Sequence, residues 1–232
     1  MYSTAASRGR SFASSAAASI VLRQQKVGTT ADASGGLVVN FDATATIGNI
    51  IVACISFVDG AAFGLTPPTL NAEGPLNDTG AVGVVTATLT TLIYWMPPLA
   101  APGNDSITFT LDLPVRASMH ISEWSVSVPW QSDDISNADT QNSSALGVVP
   151  ATLDPPTAPN LVIGIGAYVS ADNDYSSGPS NGFTRLTPTG GAAIFQECAY
   201  LIRETDHAAV TSVVTLDEAD VWCSCAAAFV IA

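Results

Sequence analysis

Lysine occurs once in this chain, at Lys26, and charged residues of all kinds make up only 12% of 232 positions. A chain so poor in long charged side chains does not favour solvated helices. No segment sustains a 3.6-residue apolar period, so little helix is expected. Base is scarcer than acid, with 7 Lys and Arg against 20 Asp and Glu and a net charge of −13, which excludes nucleic acid as a partner of the body. No apolar run reaches ~18 residues, so no transmembrane helix is expected. Histidine occurs twice, and no Gly-x-Ser-x-Gly elbow, His-Glu-x-x-His pair or phosphate-binding glycine loop is present.

Small and β-branched residues are abundant instead. Ala, Val, Thr, Ser and Gly dominate, which suits strands and turns. The length is enough for one substantial core. Residues 1–19, "MYSTAASRGRSFASSAAAS", are small, polar and aperiodic and read as an extended arm. Residues 1–26 hold Arg8, Arg10, Arg23 and Lys26 and no acid, so a basic arm leads an acidic body. A secretory signal is not expected: the middle of the stretch is rich in Ser, and Arg23 and Lys26 follow where cleavage would lie.

Strands are expected near 20–26 and 37–42. Beyond them the chain echoes itself. "GNIIVACISF" (48–57) resembles "PNLVIGIGAY" (159–168), each a turn residue, an Asn and a continuous apolar run of the kind buried on both faces. "TATLTTLIYWM", "DSITFTLD" and "ASMHISEWSVSV" follow the first; "AIFQECAYLI", "VTSVVTLD" and "DVWCSCAAAFVI" follow the second. Gly and Pro clusters separate the segments. The expected fold is therefore all-β: a two-sheet jelly-roll β-sandwich of about eight to ten strands over residues 20–232, with an extended N-terminal arm over 1–19.

The four cysteines give no paired metal spacing. In the last strand Val221, Cys223, Cys225, Ala227, Phe229 and Ile231 share one face, so both cysteines point into the core as small apolar groups. A disulfide to Cys54 or Cys198 and a metal site using Cys54, Cys198, His120 or His207 are the alternatives. His120 shares a face with Ser122 and Trp124, away from Glu123, so no His–Glu pair is projected together. His207 falls in a hairpin. Loop acids Asp133, Asp134, Asp139, Asp172 and Asp174 read as a solvated surface, with calcium at Asp172, Asn173 and Asp174 as the sharper alternative. Trp124, Trp130, Tyr168 and Tyr175 are core or interface aromatics, or a sugar-stacking platform. No catalytic group and no cofactor are expected.

The strand series "GNIIVACISF", "TTLIYWM", "DSITFTLD", "HISEWSV", "PNLVIGIGAY", "NGFTRL", "ECAYLIRE" and "ADVWCSCAAAFVI" resembles the jelly-roll domains of tailed-bacteriophage virion proteins. That group includes capsid decoration (cement) proteins and tail-associated β-sandwich modules. The resemblance implies a non-enzymatic virion structural protein at the particle surface. It would act as a homotrimer that binds and stabilises the shell, with the major capsid protein or other virion subunits as partners. The alternative within it is a tail-associated carbohydrate- or receptor-binding module. Arg8, Arg10, Phe12, Arg23 and Lys26 are then the residues expected to contact a partner, with no nucleic acid and no membrane involved.

Overall fold

The computed structural model describes residues 19–58, 66–85, 89–112, 114–126, 130–141, 147–148, 159–169, 175–177, 179–189, 194–204, 210, 214–216 and 221–231. Among them the one helical element is a 3-10 turn at Ala33–Gly35, capped by Asp32. Everything else regular is strand. The first half carries β1 (Ile20–Thr30), β2 (Leu37–Asn40), β3 (Ile50–Phe57), β4 (Thr69–Leu70), β5 (Gly74–Pro75), β6 (Asn77–Val85), β7 (Leu89–Met96), β8 (Ser106–Phe109) and β9 (Ala117–Val126). The second half carries β10 (Trp130–Gln141), β11 (Gly147–Val148), β12 (Asn160–Tyr168), β13 (Tyr175–Ser177), β14 (Thr184–Arg185), β15 (Phe195–Arg203), β16 (Val214–Leu216) and β17 (Trp222–Ile231).

These strands build the same arrangement twice. The large sheet of the first half has the order β1-β9-β3-β7-β6, and that of the second has β10-β17-β12-β15-β14. The small sheets follow suit, β2-β8-β4-β5 and β11-β16-β13. Position for position, β3 matches β12, β7 matches β15, β8 matches β16 and β9 matches β17, in the sequence order that the echo predicts. All named pairings are antiparallel.

The all-β, antiparallel sandwich expectation holds, but the sheets among the described residues number four rather than two. The reason lies in the continuous apolar runs. Every residue of β3, β7 and β12 is buried. A two-sheet sandwich leaves one face of each sheet in water, so a strand buried on both faces needs a layer on each side. For the first large sheet those layers are its own small sheet and the other half's large sheet. Leu37, Val39, Ile107 and Phe109 of the small sheet pack on Ile51, Ala53, Ile55, Tyr94 and Met119. On the opposite face Ile50, Val52, Ile93 and Trp95 meet Leu161, Ile163, Cys225 and Phe229.

The two large sheets face each other about a pseudo-two-fold axis. In register, Trp95 pairs with Val52 and Tyr200 with Ile163, so Trp95 and Tyr200 are equivalent positions. Trp124 pairs with Ile50 and Phe229 with Leu161, so these two are equivalent as well. Across the interface Trp95 meets Phe229, with centroids 5.9 Å apart, and Tyr200 meets Trp124 edge-on at 4.9 Å. Each contact is the other with the halves exchanged, which is the signature of an isologous interface.

The symmetry breaks at the opposite end. There Gly83 of β6 presses on the backbone of β17: a Cβ on Gly83 would lie 2.5 Å from the Ser224 carbonyl oxygen. The equivalent place in the second half is Thr189, whose hydroxyl instead accepts a 2.8 Å hydrogen bond from Ser118. One flank of the interface is therefore closed by small residues, and the other is spaced by polar side chains.

Candidate functional site

The polar flank is the first place where titratable groups meet. His120, on β9, is wholly buried and faces the second half. Its Nε2 lies 2.9 Å from Gln25 Oε1, and the same oxygen accepts from the Thr187 backbone N–H at 3.0 Å. An oxygen already accepting one N–H requires Nε2 to be the protonated nitrogen, which leaves Nδ1 bare; it is buried and has no hydrogen-bond partner among the described residues. Burial holds the imidazole down at about 3, so His120 is neutral at physiological pH. Neighbouring Ser122 accepts from Trp124 Nε1 at 2.9 Å, and Gln196 donates to the Cys54 carbonyl at 3.0 Å.

This geometry sets a pH dependence. The unfolded chain takes up a proton at His120 near pH 6.5, while the folded chain resists it down to about 3. Stability from this group is therefore complete above pH ~6.5 and is lost as pH falls towards 3, by ~2–3 kcal/mol at pH 4.5. Urea titrations of the native protein and of His120→Asn at pH 7.5 and 4.5 check it. The acid-induced loss is expected to be smaller in the variant by that amount; equal losses would remove His120 as the cause.

The second cluster lies at one end of the first half. Glu123 is on the other face of β9 from His120 and only 2% exposed. Its carboxylate accepts from Thr46 N at 2.8 Å, from Asn49 Nδ2 at 2.5 Å and from Gln24 Nε2 at 2.5 Å. One carboxylate thus ties the edge strand β1 and the loop 43–49 to the middle of the sheet. Next to it, Glu73 accepts from the Ala100 and Ala101 N–H groups at 2.7 and 2.6 Å, which hold its carboxyl below the usual range. Asn104 joins the same loops, accepting from Ala72 N and donating to the Ala101 carbonyl. At the tip, Ile47 is 56% exposed. In the second half Asn160 replaces Asn49, and its Oδ1 accepts from Arg203 Nε at 3.2 Å. The same asparagine position serves a buried acid in one half and a buried base in the other, because an amide offers both a donor and an acceptor.

The residues expected to matter fall in different places. Arg8, Arg10 and Phe12 lie outside the described residues. Arg23 belongs to β1 and donates from Nε to Ser125 Oγ at 2.6 Å. Lys26 is also on β1 and pairs with Asp42 at 2.8 Å, an exposed pair of small energetic weight. Trp124 and Tyr168 are wholly buried, Tyr168 stacked on Phe195 at 5.1 Å, so neither offers a face to a sugar. Asp172, Asn173, Asp174 and His207 lie outside the described residues, and only the backbone of Trp130, Asp133, Asp134, Asp139 and Tyr175 is described. Cys54, Cys198, Cys223 and Cys225 are buried free thiols. Among the described residues no group of three or more His, Cys, Asp or Glu is placed to hold a metal ion.

Sequence reasoning missed Glu123, Gln24 and Gln25. The visible signal was an acid inside an otherwise apolar strand, Ile121-Ser122-Glu123-Trp124, where an unpartnered carboxylate would be costly. No family model, curated protein or solved structure matches the chain.

Proposed function

We propose that this chain is a non-enzymatic structural protein of a phage particle, a capsid decoration protein that binds and stabilises the shell as a homo-oligomer. The observation that carries this reading is strand order. Within the first half, β1-β9-β3-β7-β6 lies over β2-β8-β4-β5, an order that supports the jelly-roll reading with β6 as an added edge strand. The second half repeats that order as far as its strands are described. The fate of the reactive side chains supports it too. The four thiols, His120 and Glu123 are all buried, and His120 and Glu123 hydrogen-bond neighbouring strands and loops. What remains for function is the surface, with a body of three basic residues against 20 acids beyond residue 26 and an arm that holds only base.

The arm is the proposed attachment device. Arg8 and Arg10 suit carboxylate-bearing surfaces of a neighbouring subunit, and Phe12 adds an apolar anchor. Deleting residues 1–19 is expected to leave a folded, soluble protein that binds particles more weakly, and charge reversal at Arg8 and Arg10 is expected to do the same. Attachment of the full chain should weaken as salt rises. Co-sedimentation with undecorated capsids measures it. Equal binding by full and truncated chains at low and high salt removes the arm from the mechanism, and a density map placing the protein on tails would replace the capsid reading with the receptor-binding one.

A further inference from the structure

Three buried polar atoms meet on the polar flank of the interface. Ser56 of β3, His120 of β9 and Gln196 of β15 are each 1% exposed or less. Ser56 Oγ, His120 Nδ1 and Gln196 Oε1 have no hydrogen-bond partner among the described residues. Strand pairing places them. Cys54 stands opposite His120, and Ser56 stands opposite Ser118. Cys54 and Trp124 belong to the core between the large sheets, so by alternation all four residues point towards the second half. They mark out a patch about 5 Å across the strands and about 7 Å along them. Gln196 spans one diagonal of it. At the Ser118 corner its backbone N–H donates to Thr189 Oγ1 at 3.2 Å, and that oxygen accepts from Ser118 Oγ at 2.8 Å. At the Cys54 corner its Nε2 donates to the Cys54 carbonyl oxygen at 3.0 Å. A carbonyl cannot donate, so the amide orientation is fixed and Oε1 is left as the spare acceptor. Ser56 and His120 hold the other diagonal, on either side of that amide.

The three atoms define what they can hold. His120 Nδ1 and Gln196 Oε1 only accept, while the Ser56 hydroxyl can donate. Their ligand must therefore donate twice and accept once. No carboxylate serves a cation here, because Glu123 and Glu197 lie on the opposite faces of β9 and β15. An anion would need several donors, and Ser56 supplies one. We propose that this flank binds one ordered water between the two halves of the chain, donating to His120 Nδ1 and Gln196 Oε1 and accepting from the Ser56 hydroxyl. Three hydrogen bonds are the usual number for a buried water. Without them each group would lose its solvation and gain nothing in exchange, the costly case for a buried polar atom. The water joins β3 and β9 of one half to β15 of the other. The interface is thus closed by direct contact where Gly83 presses on Ser224, and bridged by water where Ser118 meets Thr189.

The test uses the native full-length protein. A high-resolution crystal map should show a water peak within hydrogen-bonding distance of all three atoms, roughly 2.6–3.2 Å. In solution, oxygen-17 relaxation dispersion should count one more long-lived water in the native protein than in Ser56→Val, whose added methyl groups take its place. Ser56→Ala removes one of the three bonds and should melt lower by ~2–4 °C. A hydroxyl with no partner at all would give the opposite sign, since its removal relieves an unsatisfied group. The proposal is overturned by any of four results: a map in which the three side chains bond one another directly, xenon bound among them under pressure as in a dry gap, equal water counts in native and Ser56→Val proteins, or a Ser56→Ala protein that melts higher than the parent. The map of the unaltered chain decides the matter even where a variant fails to fold.

Discussion

Replacing Phe229 with Ala is expected to lower the unfolding free energy by about 3–5 kcal/mol. Phe229 is 2% exposed and sits where β17 of one half meets β7 of the other. Its removal opens a cavity between two sheets whose backbones are held by pairing on both sides, so the gap cannot close by collapse. The lost tilted contact with Trp95 adds ~0.5–1.5 kcal/mol to the burial term and is contained in the total. Pseudo-symmetry sharpens the expectation. Trp124 is equivalent to Phe229 and wholly buried, and it meets Tyr200 as Phe229 meets Trp95. Double-mutant cycles on Phe229 with Trp95, and on Trp124 with Tyr200, should both show favourable coupling. A cycle on Phe229 with Tyr200 should show less, since their partners differ. Guanidinium titrations give these values. A Phe229→Ala loss under about 1 kcal/mol would mean that the two large sheets do not pack as described.

Gly83→Ala is expected to be destabilising by roughly 2–3 kcal/mol, and Gly83→Val by more, although adding a Cβ to a strand glycine ordinarily helps by ~0.5–1 kcal/mol. The sign reverses because of what the new atom would meet. It would lie 2.5 Å from the Ser224 carbonyl oxygen, 2.5 Å from Thr91 Oγ1 and 2.9 Å from the Ser224 carbonyl carbon. Thr91 can rotate away, but the backbone of β17 cannot, being paired to β10 on one edge and β12 on the other. The sheets must separate on their tight flank instead. Gly28 supplies the contrast. A Cβ there meets chiefly Val39 Cγ2, at 2.6 Å, which is the end of a side chain. Gly28→Ala is therefore expected to cost about 1 kcal/mol or less. Thermal melts of both alanine variants rank them, and a Gly83→Ala protein at least as stable as the parent would contradict the backbone contact.

Much of this architecture is legible in single stretches. Alternation in "VWCSCAAAFVI" puts Cys225, Ala227 and Phe229 on one face, and they do share the inter-sheet core. Cys223 points the same way but ends in a separate small cluster with Leu89 and Ile194, because the strand has by then run to the far end of the sheet. The continuous runs "IIVACISF" and "LVIGIGAY" already imply burial on both faces. A two-sheet sandwich does not satisfy that implication, and the extra layers supply it. The polar contacts were not legible. Gln25 and Thr187 are 162 positions apart, and Gln24 and Glu123 are 99 apart.

By itself, then, the amino-acid order determines that the chain is β, where its main strands run, that one pattern occurs twice, and which residues share a face. Those properties follow from local sterics and a two-residue period, which act over a few positions. Only the tertiary structure decided that each half closes its own pair of sheets and that the large sheets then meet across a pseudo-two-fold axis. It also decided that Asn49 faces a buried acid and Asn160 a buried base. A period says which side chains lie on one face but not what covers that face. The cover comes from segments a hundred or more residues away, chosen by total burial and by the need of each enclosed polar atom for a partner.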